Sequence, residues 1–110
     1  MKLVAVRKLP PTSKQKFEAE FKLDNGRTKT TKFGATGYRD FTLISDPKSK
    51  FYIKDKKERL KVREAYQRRH AKDLKTENNK LGIGAGALSY YLLWTTPKMN
   101  LSAYRKRFNL

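Results

Sequence analysis

Cysteine is absent from the 110-residue chain, which excludes disulfides and thiolate metal sites. The chain needs no oxidising compartment and suits a cytosolic, nuclear or particle-interior setting. Histidine occurs once, at His70. A histidine-based metal site takes several ligands, and a general base usually needs an orienting partner. Within Arg68-Arg69-His70 this residue reads as part of a basic face, and no nucleophile arrangement accompanies it. Long apolar runs are also missing. The stretch before Pro10-Pro11 is too short for a signal peptide. The uncharged residues 81–97 hold three glycines, a serine and two tyrosines. They fall short of the ~20 residues of a membrane span and read as a buried helix.

Acid is scarce as well. Ten Asp and Glu face 27 Lys and Arg, for a net charge of +17. Self-repulsion at that level opposes compaction and favours an anionic partner. Nucleic acid, an anionic membrane surface and an acidic protein all meet that description. What the chain does have is aromatic: six Phe, six Tyr and one Trp against an apolar share of only 37%. Large rings bury much area per residue, so one small core is expected within a single basic domain, residues 1–110. A chain this short buries a modest fraction of its surface, and support from a partner is expected.

Residues 2–8 read as a first strand, ended by Pro10-Pro11. Residues 16–23 alternate, with Phe17, Ala19, Phe21 and Leu23 on one face and Glu18, Glu20 and Lys22 on the other. Asp24-Asn25-Gly26 predicts a hairpin, because Asn-Gly tolerates the positive φ of a tight turn. The threonine-rich residues 27–33 make the return strand. Gly34 and Gly37 permit a sharp change of direction, and 38–44 reads as a fourth short strand or an extended segment. Uninterrupted by Gly or Pro, 54–74 predicts a helix with Val62 and Tyr66 at the centre of a thin apolar face. Lys57, Lys61, Arg68 and Lys72 share one narrow sector of it. A polar loop at 75–80, a buried helix at 84–94 and a last helix at 101–108, N-capped by Asn100, complete the chain. The expected fold is α+β: a small antiparallel sheet of three to four strands, with two to three helices packed against it.

Several motifs bear on chemistry. The basic helix, with Tyr66 and His70 interleaved, has the residues to track a phosphate backbone and stack a base; none of the standard nucleic-acid reader signatures accompanies it. Gly82-Ile83-Gly84-Ala85-Gly86 resembles a phosphate-cradling loop but lacks the Lys-Ser/Thr ending and the GxGxxG spacing, so close helix packing is expected there. Glu20-Phe21-Lys22 resembles a fragment of a metal-dependent nuclease site. Such a site needs a second carboxylate, for which Asp40 or Asp46 is available; a solvent-facing strand edge is the expected reading. Residues 32–46 read as a sheet-to-helix corner. Phe33, Tyr38 and Phe41 bury, and Arg39 and Asp40 pair or cap.

Lys32-Phe-Gly-Ala-Thr-Gly-Tyr-Arg-Asp-Phe-Thr42, Tyr52-Ile53, Arg68-Arg69-His70, the block AGALSYYLLW at 85–94 and YRKRF at 104–108 occur in this order. Together they resemble a family of small basic proteins of large double-stranded DNA viruses of algae and amoebae, over about residues 16–108. That family carries no assigned activity. The resemblance implies a non-enzymatic virion structural protein, a minor capsid component of the inner capsid layer. It would be in host cytoplasm or nucleus during assembly and would bridge acidic capsid or internal surfaces. The expected partners are capsid or other virion proteins, with nucleic acid and anionic membrane as further possibilities; no cofactor, metal or small-molecule substrate is expected. The alternative is a protein that binds viral DNA or RNA through the basic helix. Lys57, Lys61, Arg63, Arg68, Arg69 and Lys72 are the expected partner or phosphate contacts. Tyr90, Tyr91, Trp94, Tyr104 and Phe108 are the expected interface anchors. Gly34, Gly37, Tyr38 and Asp40 form the structural corner.

Overall fold

A computed structural model describes residues 1–110. Three strands form one antiparallel sheet in the order β1 (Lys2–Lys8), β2 (Gln15–Lys22), β3 (Thr28–Ala35). The period-2 pattern of β2 decides which face is covered: Ala19 and Phe21 are fully buried, beside Leu3 of β1 and Phe33 of β3. The other face carries Arg7 against Glu18 and Glu20. At the hairpin, Gly26 takes φ +82°, Leu23 N–H donates to the Arg27 carbonyl at 2.8 Å and Asn25 Oδ1 accepts from Arg27 N–H.

The helices cover the apolar face. They are α1 (Phe41–Ile44), α2 (Lys56–His70), α3 (Glu77–Lys80), α4 (Ala85–Leu88) and α5 (Leu101–Phe108). The core residues of these helices and their connections are Phe41, Ile44, Ile83, Leu88, Leu92, Leu93, Trp94 and Tyr104. Only 15 of the 110 residues are buried, so caps and side chain-to-backbone bonds carry a large share of the specificity.

Four elements differ from expectation. Residues 38–44 are a turn followed by α1. Asp40 caps α1, its Oδ1 accepting from Leu43 N–H at 2.9 Å, and the cap overrides the β-propensity of the aromatic and branched residues. The 54–74 helix starts at Lys56, capped by Asp55. It tightens to a 3₁₀ segment at Ala71–Lys75, and the expected polar loop 75–80 is largely α3. The 84–94 helix begins with α4 and widens to a π-helical segment at Ser89–Leu93. Leu92, Leu93 and Trp94 are then buried in succession, more than one regular helical face provides.

Two glycines combine a positive φ with close approach. Gly34 (φ +77°) lies where a Cβ would come within 2.7 Å of Leu93 Cδ1, and Gly82 (φ +80°) where a Cβ would meet the Phe108 side chain at 2.5 to 2.9 Å. Gly37, also at positive φ, bends the corner loop into open space.

Candidate functional site

Helix α2 contributes no fully buried residue. It docks through polar atoms in a stripe four residues apart. Arg59 donates to the Ile53 carbonyl at 2.6 Å, Arg63 to the Thr95 carbonyl at 3.1 Å and Gln67 to the Trp94 carbonyl at 3.4 Å. The last two acceptors lie just past the π-helical segment, where free carbonyls favour cations and donors. Arg63 also lies over the Phe41 ring, 5.0 Å from its centroid. Arg63 therefore clamps the fold and is not a free partner contact. The spacing 59, 63, 67 is the signal in the sequence that marks this docking stripe.

Beside the stripe, Tyr66 stacks on Trp94 with centroids 4.1 Å apart and planes 6° from parallel, and the His70 ring lies 4.3 Å from Tyr66. His70 Nδ1 is 2.9 Å from Asp73 Oδ2. Burial, helped by the negative charge of Asp73, pushes the Tyr66 phenol up to about 12. The ring expected to stack a base is already engaged by protein rings.

The opposite side of α2 is open. Lys57, Lys61, Arg68 and Lys72 are exposed, as is Arg69 toward the corner loop. Arg68 pairs with Glu64 at 2.9 Å and Lys61 reaches Glu58 at 4.0 Å; both are exposed pairs and contribute little. Across the whole chain, only Arg7, Lys16, Lys61 and Arg68 among the 27 Lys and Arg have a carboxylate within 4.0 Å.

The aromatic anchors divide. Trp94 (7% exposed) and Tyr104 (2%) are core. The Tyr104 hydroxyl donates to the Gly82 carbonyl at 2.8 Å, and its phenol is raised above the ordinary tyrosine value by burial. Burial in the core removes both rings from the outer surface. Tyr90, Tyr91 and Phe108 stay partly exposed as an edge-on ring chain, with Arg107 4.4 Å above Tyr91. Tyr38, expected to bury, is 72% exposed: the Gly37 turn swings its ring outward while Lys16 holds its carbonyl at 2.6 Å.

The corner works through Asp40, which pairs with Lys16 at 2.8 Å and not with Arg39. A cleft of about 510 Å³ opens between this loop and α2, with Lys61, Tyr66, Arg69 and His70 on one wall, Tyr38 and Arg39 on the other, and Leu93 and Trp94 at the floor. The structure thus brings together three sequence segments whose meeting the linear order does not reveal.

The remaining motifs resolve structurally. Glu20 accepts from Arg7 at 2.8 Å, and Asp40 is spent on Lys16 and its cap. No three His, Asp or Glu side chains stand close enough to hold a metal ion. The 82–86 glycines pack on Asn79: its Oδ1 accepts from Ala87 N–H at 2.9 Å, and a Cβ at Gly84 or Gly86 would strike its amide. Asn79 occupies the position a phosphate would need. No helix is long and apolar enough to cross a membrane. Comparison with protein-family models, curated proteins and solved structures returns no match.

Proposed function

We propose that this chain is a non-enzymatic virion structural protein, a minor capsid component of a large DNA virus that sits in the inner capsid layer and bridges acidic capsid or internal surfaces. The observation that carries the reading is the uncompensated charge: most of the 27 cations have no carboxylate partner within the chain. Charge that the fold does not use, and that destabilises it by self-repulsion, is explained by an external anionic partner. The sequence resemblance points to a virion setting. The exposed face of α2 supplies adhesion, and the partly exposed Tyr90, Tyr91 and Phe108 supply apolar anchors.

Nucleic-acid binding is the second reading. It is favoured by the exposed cations Lys57, Lys61 and Arg68 of α2, with Lys72 in the 3₁₀ segment that follows, a set that suits a phosphate backbone. A nuclease-treated pull-down from disrupted particles, with the tagged chain as bait, separates the two. Capsid protein retained in stoichiometric amount after nuclease is the expected result. Loss of all co-purifying protein on nuclease treatment overturns the capsid reading in favour of nucleic acid.

A further inference from the structure

The cleft between the corner loop and α2 combines positive charge with an apolar floor. Four cations line it, Lys16, Arg39, Lys61 and Arg69, against one carboxylate, Asp40. That carboxylate is not available to repel an anion: it is buried, bonded to Lys16 through Oδ2 and to Thr42 and the Leu43 N–H through Oδ1. Arg39 and Arg69 have no carboxylate partner at all and stay exposed. Below them the floor is apolar, built from Val62, Leu93 and Trp94, and the exposed Tyr38 ring stands at the lip.

We propose that this cleft is a recognition pocket for a short acidic peptide segment of a partner protein, one that carries an apolar or aromatic side chain between carboxylates. This rests on the reading that the partner is an acidic protein. The apolar side chain enters over Leu93 and Trp94 and is covered by Tyr38. Its flanking carboxylates meet the Arg39 and Arg69 guanidiniums, whose fork geometry suits bidentate pairing. A single-stranded nucleic acid fits the cleft less well. Non-specific strand binders stack successive bases on several free rings along a groove. Here Tyr66 is engaged by Trp94 and His70, Trp94 is nearly covered, and Tyr38 alone stands free. The volume, about 510 Å³, is that of one ligand pocket and not of a tracking channel.

Trp94 is the only tryptophan and lies at the cleft floor, so its fluorescence reports occupancy. The probes are the peptide Asp-Glu-Phe-Glu-Asp, pentaglutamate and oligothymidylate of five nucleotides, titrated into the full chain. The phenylalanine peptide is expected to shift Trp94 emission and to bind at least about tenfold more tightly than pentaglutamate, a difference of ~1.4 kcal/mol. The double variant Arg39→Gln/Arg69→Gln and, separately, Tyr38→Ala, all at exposed positions, are expected to weaken it about tenfold and about fivefold. Equal binding by pentaglutamate, tighter binding by oligothymidylate, an unchanged Trp94 signal, or unweakened binding by the double variant overturns the proposal. The particle pull-down separates this from the broader reading. Capsid protein retained equally by the double variant sinks the pocket and leaves the adhesion role; a peptide-responsive cleft in a chain that retains no capsid protein does the reverse.

Discussion

Lys16 Nζ stands 2.8 Å from Asp40 Oδ2 and 2.6 Å from the Tyr38 carbonyl, so one ammonium ties β2 to the loop that leaves β3. Asp40 is 2% exposed, and its other oxygen caps α1. Removing one member of a buried pair leaves an uncompensated charge and costs about 3–5 kcal/mol. Lys16→Met is expected to destabilise the chain by that order in urea unfolding. Adding Asp40→Asn, which keeps an acceptor for the cap but no charge, is expected to restore part of the loss. A double variant less stable than Lys16→Met would show that the pair is not the source.

Alkaline pH acts on the buried phenols. Tyr66 titrates at about 12 in the fold against 10.0 ordinarily, and Tyr104 is also raised, both chiefly by burial. A raised folded value means that the unfolded chain loses its proton first. The stabilisation is complete below pH 10 and is lost as pH rises through the folded value, at about 1.4 kcal/mol per pH unit for the buried Tyr104 and less for Tyr66, which solvent partly screens. Tyr104→Phe is expected to flatten the fall in stability between pH 10 and 12. The lysine background is unchanged in that comparison, so identical slopes would rule the phenol out.

Gly82→Ala puts a side chain at positive φ and drives it into Phe108. The backbone term is roughly 1–2 kcal/mol, and displacing α5 from the core adds to it. The expected total is about 3 kcal/mol or more, seen as a lower denaturation midpoint. Gly82→Ala/Phe108→Ala relieves the clash but not the φ strain, so it is expected to lie closer to Phe108→Ala alone than additivity predicts.

Asn79 joins three parts of the chain. Its amide donates to the Asp73 carbonyl at 2.8 Å and to Thr76 Oγ1 at 2.9 Å, while its oxygen accepts from Ala87 N–H. Asn79→Ala is expected to cost about 2 kcal/mol. Amide hydrogen exchange at Ala87 is expected to accelerate with it; unchanged protection there would rule out Asn79 as the acceptor that holds that N–H.

Salt is expected to stabilise the free chain. At +17 with few ion pairs, repulsion exceeds attraction, and raising ionic strength from 0.01 to 0.15 M shortens the screening length from about 30 to about 8 Å. A rise in melting temperature of about 5 °C, or ~1 kcal/mol, is the expected size. A fall on adding salt would mean that the surface pairs outweigh the repulsion.

Local patterns were legible where they are self-sufficient. The alternation of Phe17, Ala19 and Phe21, the Asn25-Gly26 turn and the Asn100 cap, whose Oδ1 accepts from Ala103 N–H at 3.0 Å, each act within a few residues. Val62 and Tyr66 as the inner face of α2 followed from helical spacing alone. The fourth strand failed because Asp40 in a capping position competes locally with a β-prone run, and its partner Lys16 lies 24 residues away.

The amino-acid order by itself determined the three-strand sheet, the amphipathic face of β2, the main helices and the excess positive charge, because each depends on periodicity, turn chemistry or composition. Only the tertiary structure decided which cations are free. Arg59 and Arg63 are spent on carbonyls while Arg69 faces an open cleft, and Trp94 and Tyr104 became core while Tyr38 stayed out. These outcomes turn on where long side chains find distant backbone acceptors and apolar surface, and that is set by packing between elements far apart in the chain.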